Sequence, residues 1–434
     1  MRIGTEFFKC DWLINKLCAL LQRPGWSDIL KEMLGKWYAD WMIRWETALT
    51  TRDTNRVVRP LEWGFDWLAD FSELAAESHR LDMAGQLTTA DALDRMMRVN
   101  EEIVARNAEF YGYAVPTDFR LEHRHPELFP TNVRPETLAQ DQQLKDDAAS
   151  GKLNKAEFLR FTSPVHSKYP ENDAVNARWY PEPAHKDPKR KKQAIVVMPQ
   201  WNADAFSHNA LCAIFNKFGI AGLRLSKPYH DIRRPAELER SDYAVSSNIG
   251  RTIAACRQAV VDIRACVDWL QAQGYEQFGV LGTSLGSCYS FMAAAFDPRI
   301  QVCAFNHAST WFGDVVWTGQ STRHIRAAFE REGLTQEQVR ALFTSISPMS
   351  VMDRFAAEKT RQTLVIYAPW DLTFLREFSL DVLSNFRKRG VNFVSRVLPC
   401  GHYTTGETPY KYIDGWYMGS FIHKAYKQMR ERAV

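Results

Sequence analysis

Residues Gly279 to Phe291 read GVLGTSLGSCYSF, and within them Gly282, Ser284 and Gly286 fit the pattern G-x-S-x-G. A serine so spaced is either a nucleophile on a strained turn or a small residue in a glycine-rich connection, and three residues alone do not separate the two. The flanks supply the context of a nucleophile: FGVLG has the character of an apolar strand, and SCYSFMAAAFDPR that of a helix of small residues stopped at Asp297 and Pro298. In a strand, sharp turn and helix, side chains at Gly282 and Gly286 would clash where the two backbones converge. The hydroxyl of Ser284 would project at the carboxyl edge of a sheet, beside the positive end of a helix. Ser287 and Ser290 fall inside that helix and are poorer candidates.

A serine hydroxyl needs a base, and the base needs an acid that holds its tautomer and stabilises the imidazolium. The expected chain order is serine, acid, histidine, with the acid after a seventh strand and the histidine after an eighth. Asp371 follows TLVIYA in PWDLTF, and His402 follows NFVSRVLP in CGHYTTGE. His307, in CAFNHAST just past the sixth strand, is the competing histidine and reads as a pocket wall or hydrogen-bonding residue. Asp314 in WFGDVV is the competing acid on a less defined loop. His123, His125 and His185 lie in polar, proline-rich segments and read as solvated. For an oxyanion, one donor would be the backbone N–H of Leu285. The other would come from MPQWNADAFSHN, where Trp201 is the first choice and Gln200 the next, with no glycine at that point.

The elements that must position these residues change character along the chain. Up to about residue 150 the pattern is helical: from Ser27, Leu30, Met33, Leu34, Trp37, Trp41 and Trp45 share a face, and from Thr89 to about Tyr111, Leu93, Met96, Met97 and Ile103 do. Seven tryptophans, Trp12, Trp26, Trp37, Trp41, Trp45, Trp63 and Trp67, fall in the first 70 residues. They read as a helical layer packed on the main domain, since Glu32, Asp40 and Glu46 interrupt the basic face an interfacial membrane helix would want. Phe119 to Asn154 is polar and proline-punctuated and reads as a linker or wrapping arm. Beyond it come eight short apolar segments: Phe158 to Val165, Ala174 to Tyr180, Ala194 to Met198, Ile220 to Leu225, Phe278 to Gly282, Gln301 to Phe305, Thr363 to Ala368 and Asn392 to Leu398. The first two are spaced for a hairpin and the later ones for helical crossovers, which predicts an α/β fold: an eight-stranded, mostly parallel sheet with helices on both faces.

Composition bounds the function classes. The chain has 434 residues, and 55 basic side chains against 51 acidic ones leave a formal charge of +4, which argues against nucleic acid as the main partner. The eight cysteines (Cys10, Cys18, Cys212, Cys256, Cys266, Cys288, Cys303, Cys400) lack C-x-x-C spacing, and this reads as a reducing compartment with no zinc site. Lys9, Asp11, Asn15 and Lys16 break every apolar run of the N-terminus, so neither a signal peptide nor an integral membrane segment is expected, and the default location is cytoplasmic.

GTSLG, YAPWDLTF and PCGHYT together resemble the α/β-hydrolase superfamily, from about Phe158 to the C-terminus. KPYHDIRRP, Lys227 to Pro235, looks like a Pro-Tyr-x-x-x-Arg-x-Pro signature of a poorly characterised branch whose members carry an N-terminal helical extension. The resemblance implies the α/β-hydrolase fold and acyl transfer to water through an acyl-serine, without metal or organic cofactor. The organisation expected is an N-terminal helical region and linker over 1–154 and a catalytic domain over 155–434. An insertion between strands six and seven, 307–361, would form a lid. It brings Trp311, Phe312 and Trp317, which either line the pocket with Gln200 and His307 or glue the lid to the sheet. Arg233 and Arg234 read as structural ion-pair residues before substrate contacts. The function expected is a carboxylesterase on small to medium, rather apolar esters. A lipid deacylase or thioesterase is the near alternative, a peptidase or amidase the next, and a non-catalytic binding protein the outside one. A small-molecule ester is the expected partner, and a homo-oligomer is left open.

Overall fold

The computed structural model describes residues 28–183 and 190–432. The readings made at the N-terminus, including Cys10, Cys18, Trp12 and Trp26, and at His185 lie outside the described residues. Nine strands form one sheet: β1 Arg120–Arg124, β2 Ala156–Thr162, β3 Ala174–Tyr180, β4 Lys192–Met198, β5 Ala221–Leu225, β6 Tyr275–Thr283, β7 Ile300–Asn306, β8 Gln362–Tyr367 and β9 Phe393–Val397, in the order β1-β2-β3-β5-β4-β6-β7-β8-β9. β1, β2, β3 and β5 pair antiparallel, and every pairing from β5 through β9 is parallel. The eight expected strands are present. The ninth, β1, lies in the stretch expected to be linker. Its sequence RLEHR is polar and carries no apolar alternation, because an edge strand open to solvent on its flank needs none.

Period-two burial divides the central strands between two cores. Val196, Val280, Cys303, Phe305 and Val365 face the helices Ile249–Ala272 and Leu285–Phe296. Ile195, Val197, Leu281, Val302, Ala304, Leu364 and Ile366 face the helices Asn209–Lys217 and Tyr410–Arg432. Buried on both sides, these strands read as nearly continuous apolar runs.

Helix Asp28–Thr50 joins the second core along a narrow seam, with Met42 fully buried and Tyr38 and Trp45 packed beside it. Trp37 and Trp41, expected on the packed face, are 62% and 37% exposed and stack on one another at its flank. The helix therefore presents a strip one residue round from the tryptophan stripe. Helix Thr89–Ala105 buries Ala92, Met96, Val99 and Ile103 and opens with a capping box between Thr88 and Asp91. Residues 307–361 fold as several short helices, among them Phe312–Thr318, Arg323–Arg331 and Gln336–Leu342. Among the described residues all six cysteines are buried free thiols, and no helix is long and apolar enough to cross a membrane.

Candidate active site

The carboxyl ends of the parallel strands are in register: Met198 opposite Gly282, Thr283 opposite Asn306, Asn306 opposite Ile366, and Tyr367 opposite Val397. The loops that follow leave one edge of the sheet, and they carry Trp201, Ser284, His307, Asp371 and His402.

Ser284 sits between β6 and helix Leu285–Phe296 with φ 57° and ψ −121°, a conformation that costs a non-glycine residue about 1–3 kcal/mol. Its neighbours hold it there. The Ser284 N–H donates to Asn306 O at 2.7 Å, and Ser287 N–H donates to Ser284 O at 2.8 Å. A Cβ on Gly282 would lie 2.2 Å from Gly286 O, the strand–helix convergence expected from sequence. A Cβ on Gly286 would lie 2.2 Å from Met198 O and 2.6 Å from Pro199 O, so this glycine also lets the loop after β4 press onto the turn.

Asp371 is buried and fully engaged. Its Oδ1 accepts from Thr373 N–H and Phe374 N–H, both at 2.7 Å, and its Oδ2 lies 2.9 Å from His402 Nδ1. With Nδ1–H donated to the carboxylate, the Nε2 lone pair of His402 is the one that can take a proton. Burial opposes ionisation of Asp371, but the charge on His402 and the hydrogen bonds of both imidazoles outweigh it and hold the carboxyl well below its ordinary range. Burial likewise opposes the imidazolium of His402, and Asp371, with a smaller contribution from Glu46, carries its pKa above the usual value. Phe374 stacks on the His402 ring.

His307 also reaches Asp371: its Nδ1 lies 2.8 Å from the same Oδ2, in poor hydrogen-bond alignment, and its Nε2 lies 3.2 Å from Thr405 Oγ1. Burial and the neighbouring His402 push its pKa down. His307, Asp371 and His402 together offer three ligand atoms within 4.8 Å of one another. The His402–Asp371 spacing of 2.9 Å is that of a direct hydrogen bond, and His307 stands 2.8 Å from the same oxygen without that alignment. Two ligands on a tetrahedral cation, each about 2.0 Å from it, stand about 3.3 Å apart.

Ser284, Leu285, His307, His402, Gln200 and Trp201 line one cavity of about 1420 Å³. Phe312, Val315 and Val316 line it from the insertion, and Leu211, Ile214, Phe218 and Trp416 from the opposite side. Trp311 and Trp317 do not: Arg340 lies over Trp311 and Arg326 over Trp317, and Trp317 packs against the first core. Asp314, the competing acid, is ion-paired to Arg340 at 2.9 Å. Arg233 is fully buried against Asp262, and Arg234 donates to Pro130 O.

Two carboxylates near the site carry no local sequence signal. Asp414, on the C-terminal helix, accepts from Asn306 Nδ2 at 2.8 Å, and burial raises its pKa to about 7. Glu46, on helix Asp28–Thr50, is 0% exposed and accepts from Tyr403 N–H at 2.8 Å and Thr404 N–H at 2.9 Å, the two residues after His402. A Cβ on Gly401 would lie 2.5 Å from the Glu46 carboxylate. An acidic residue beside a tryptophan stripe looked like an interruption of an apolar face; the clue was that it recurs at the buried spacing of Met42 and Thr50.

Residues 144–321 match a family model described as alpha/beta hydrolase domain containing 18, a span that includes Trp201, the Lys227–Pro235 segment and Ser284 and ends before Asp371 and His402. Among solved structures, acetyl xylan esterase from Paenibacillus sp. R4 aligns at 11% identity with a TM-score of 0.49, covering 74% of this chain and 92% of that one. Acetyl xylan esterase 1 from Thermoanaerobacterium sp. JW/SL YS485 aligns at 14% identity and the same TM-score, covering 75% and 93%. A carboxyl esterase from Bacillus coagulans aligns at 13% identity with a TM-score of 0.43, covering 62% and 98%. No curated protein matches the sequence. With a mostly parallel sheet whose strand β6 ends in a strained G-x-S-x-G turn, and a family match over residues 144–321 that spans that turn, the chain has the α/β-hydrolase fold.

Proposed function

We propose that the protein is a serine hydrolase that cleaves carboxylic esters. The observation that carries this reading is the Asp371–His402 pair, 2.9 Å apart, whose histidine opens with Ser284 into one cavity at one sheet edge. His402, oriented by Asp371, takes the proton of Ser284 Oγ as that oxygen bonds to the ester carbonyl carbon. The N–H groups of Leu285 and Trp201 hold the oxyanion, and His402 then protonates the departing alcohol. Water, deprotonated by the same histidine, releases the acid and restores the serine. The 307–361 insertion acts as a lid, supported by the contribution of Phe312, Val315 and Val316 to the cavity wall.

The cavity favours a rather apolar acyl or alcohol group, and its 1420 Å³ exceeds the roughly 300–1000 Å³ of ordinary small-ligand pockets. That size supports a second reading, a lipid deacylase or thioesterase.

A fluorophosphonate probe labels Ser284 on this proposal, and folded protein that stays unlabelled there would overturn it. Hydrolysis of p-nitrophenyl esters of increasing acyl length, run beside p-nitroanilides, then separates the readings. A maximum at short acyl chains marks the esterase, a rise with length the deacylase, and anilide turnover an amidase.

A further inference from the structure

The segment KPYHDIRRP is unused by the chemistry above, yet it is among the most buried polar stretches of the molecule: Lys227, His230, Asp231 and Arg233 are each at most 2% exposed. Four ionisable side chains in that state need a specific reason to be there. Two of them are anchors. Asp231 pairs with Arg224 and accepts from Ser226 Oγ, while Arg233 pairs with Asp262 and donates to Asn172 O and Ser226 O. Tyr229 and Asp231 adopt φ of 62° and 53°, and Tyr229 N–H is held by Asn172 Oδ1 at 2.8 Å.

The other two reach the loop after β4. Lys227 Nζ donates to Gln200 O at 3.0 Å, and His230 Nε2 accepts Asn202 N–H at 3.2 Å. His230 Nδ1 lies 2.8 Å from Pro228 O; that carbonyl can only accept, so Nδ1 carries the proton and Nε2 keeps its lone pair for Asn202. Burial and the adjacent Lys227 keep the imidazole neutral, which preserves the acceptor. The two contacts bracket Trp201. Gln200 C=O and Trp201 N–H belong to one planar trans peptide and point in opposite directions, so fixing the oxygen aims the N–H. The remaining degrees of freedom are also fixed: Trp201 Nε1 donates to Ser241 O at 2.9 Å, and Asn202 Oδ1 accepts from Ser241 N–H at 2.8 Å. This loop presses on the serine turn at Gly286, and Trp201 shares the cavity wall with Ser284 and Leu285.

We propose that Lys227 and His230 are positioning residues that clamp the Gln200–Asn202 backbone and pre-aim the Trp201 N–H as the second oxyanion donor. The inference rests on the serine-hydrolase reading. It accounts for a loop without glycine at Pro199–Trp201 holding a donor still: rigidity comes from two buried side chains rather than from a permissive backbone. Oxyanion donors act only when already aimed at the developing charge, and losing one costs about 10²–10³ in kcat.

The test starts with fluorophosphonate labelling of wild-type Ser284; failure there removes the parent reading, not this one. With labelling established, Lys227→Met and His230→Leu are compared with wild type for kcat and KM on p-nitrophenyl butyrate and for the Ki of an aryl trifluoromethyl ketone. That ketone forms a tetrahedral adduct whose oxyanion needs the same donor. The expected result is a fall in kcat of roughly 10- to 100-fold with KM changed less than about threefold, and a matching rise in Ki. His230→Gln, which can offer Oε1 to Asn202 N–H, restores most of the activity that His230→Leu loses. If Lys227→Met does not fold, the His230 pair alone decides. Folded variants with unchanged kcat, or with losses in kcat that leave the ketone's Ki unmoved, overturn the clamp.

Discussion

The loop 199–202 and the loop 400–405 stand on either side of Ser284, and they are held from different parts of the chain, one near and one far in sequence. The first is pinned by Lys227 and His230, 27 and 28 residues downstream of their partners and within the sheet domain. The second is pinned by Glu46, 357 residues upstream of Tyr403, whose carboxylate accepts two backbone N–H groups and the Thr404 hydroxyl. Lys227 and His230 can do their work in the sheet domain alone. The loop of His402 is held by a carboxylate from a helix outside the sheet, so on the proposed mechanism that helix would help to position the histidine.

The largest effect is expected where neither support can compensate. Asp371→Asn leaves the backbone turn of Thr373 and Phe374 intact but replaces the acceptor that sets the His402 tautomer, and kcat falls on the order of 10⁴-fold. A folded Asp371→Asn with near-normal turnover would show that the comparison of supports concerns packing and not catalysis. Next comes Glu46→Ala, which strands Tyr403 N–H and Thr404 N–H in a buried site at about 1–3 kcal/mol each. Urea unfolding then shows a loss of about 3 kcal/mol, and kcat/KM falls roughly 10- to 100-fold as the histidine loop relaxes. A protein of full stability and activity after this change would break the idea that the extension holds the site.

What could be read from the sequence follows the same division between near and far. Ser284 stands out because strand, turn and helix are contiguous, and Gly282 and Gly286 mark two backbone approaches within a few residues. Asp371 and His402 follow from strand order, since β8 announces itself as a buried apolar run and β9, a largely exposed edge strand, by its β-branched and aromatic residues. β1 was hidden because RLEHR satisfies an edge with polar residues. Trp37 and Trp41 misled the helix-face assignment: periodicity finds the apolar direction, but the partner surface buried Met42 and Glu46 instead. For Trp311 and Trp317 residue type left pocket wall and lid glue equally open; neither lines the cavity, and arginines from neighbouring helices lie over both rings. The spacing of Glu46 with Met42 and Thr50 hints at burial, but its partners are not legible, because they are two amides 357 and 358 residues away.

Glu46 also touches the site electrically, which separates its charge from its shape. Among the described residues, the charged or titratable groups beside His402 include Asp371 and His307 from neighbouring strand loops, Tyr403 next in the chain and Glu46 from the helix Asp28–Thr50. Because Asp371 and then Glu46 raise the His402 pKa, the acid limb of kcat/KM should lie above the ordinary imidazole value of about 6.5. Glu46→Gln removes one negative charge that favours imidazolium, so the pKa falls and the limb moves to lower pH. Lys227→Met, which acts on the other loop, leaves the limb where it is. A pH profile that moves equally in both variants would erase the distinction between the two supports.

The smallest effect is expected at His307, although it stands as close to Asp371 as His402 does. The two imidazoles share one carboxylate oxygen, and their environments drive them apart: His402 is held above its ordinary pKa and His307 below it. On the proposed mechanism, a pair divided in this way gives the proton-taking role to the first. His307 contacts Asp371 at a poor angle, spends its Nε2 on Thr405 and lines the cavity beside the pair. It sits at φ 59°, which makes His307→Asn the fair substitution, since asparagine tolerates that backbone where alanine would add strain. His307→Asn should keep kcat/KM within about tenfold of wild type, against losses of at least 10³-fold for His402→Asn. Equal losses would mean that the carboxylate serves both rings in catalysis, and that the histidine loop pinned by Glu46 is only one of two routes for the proton.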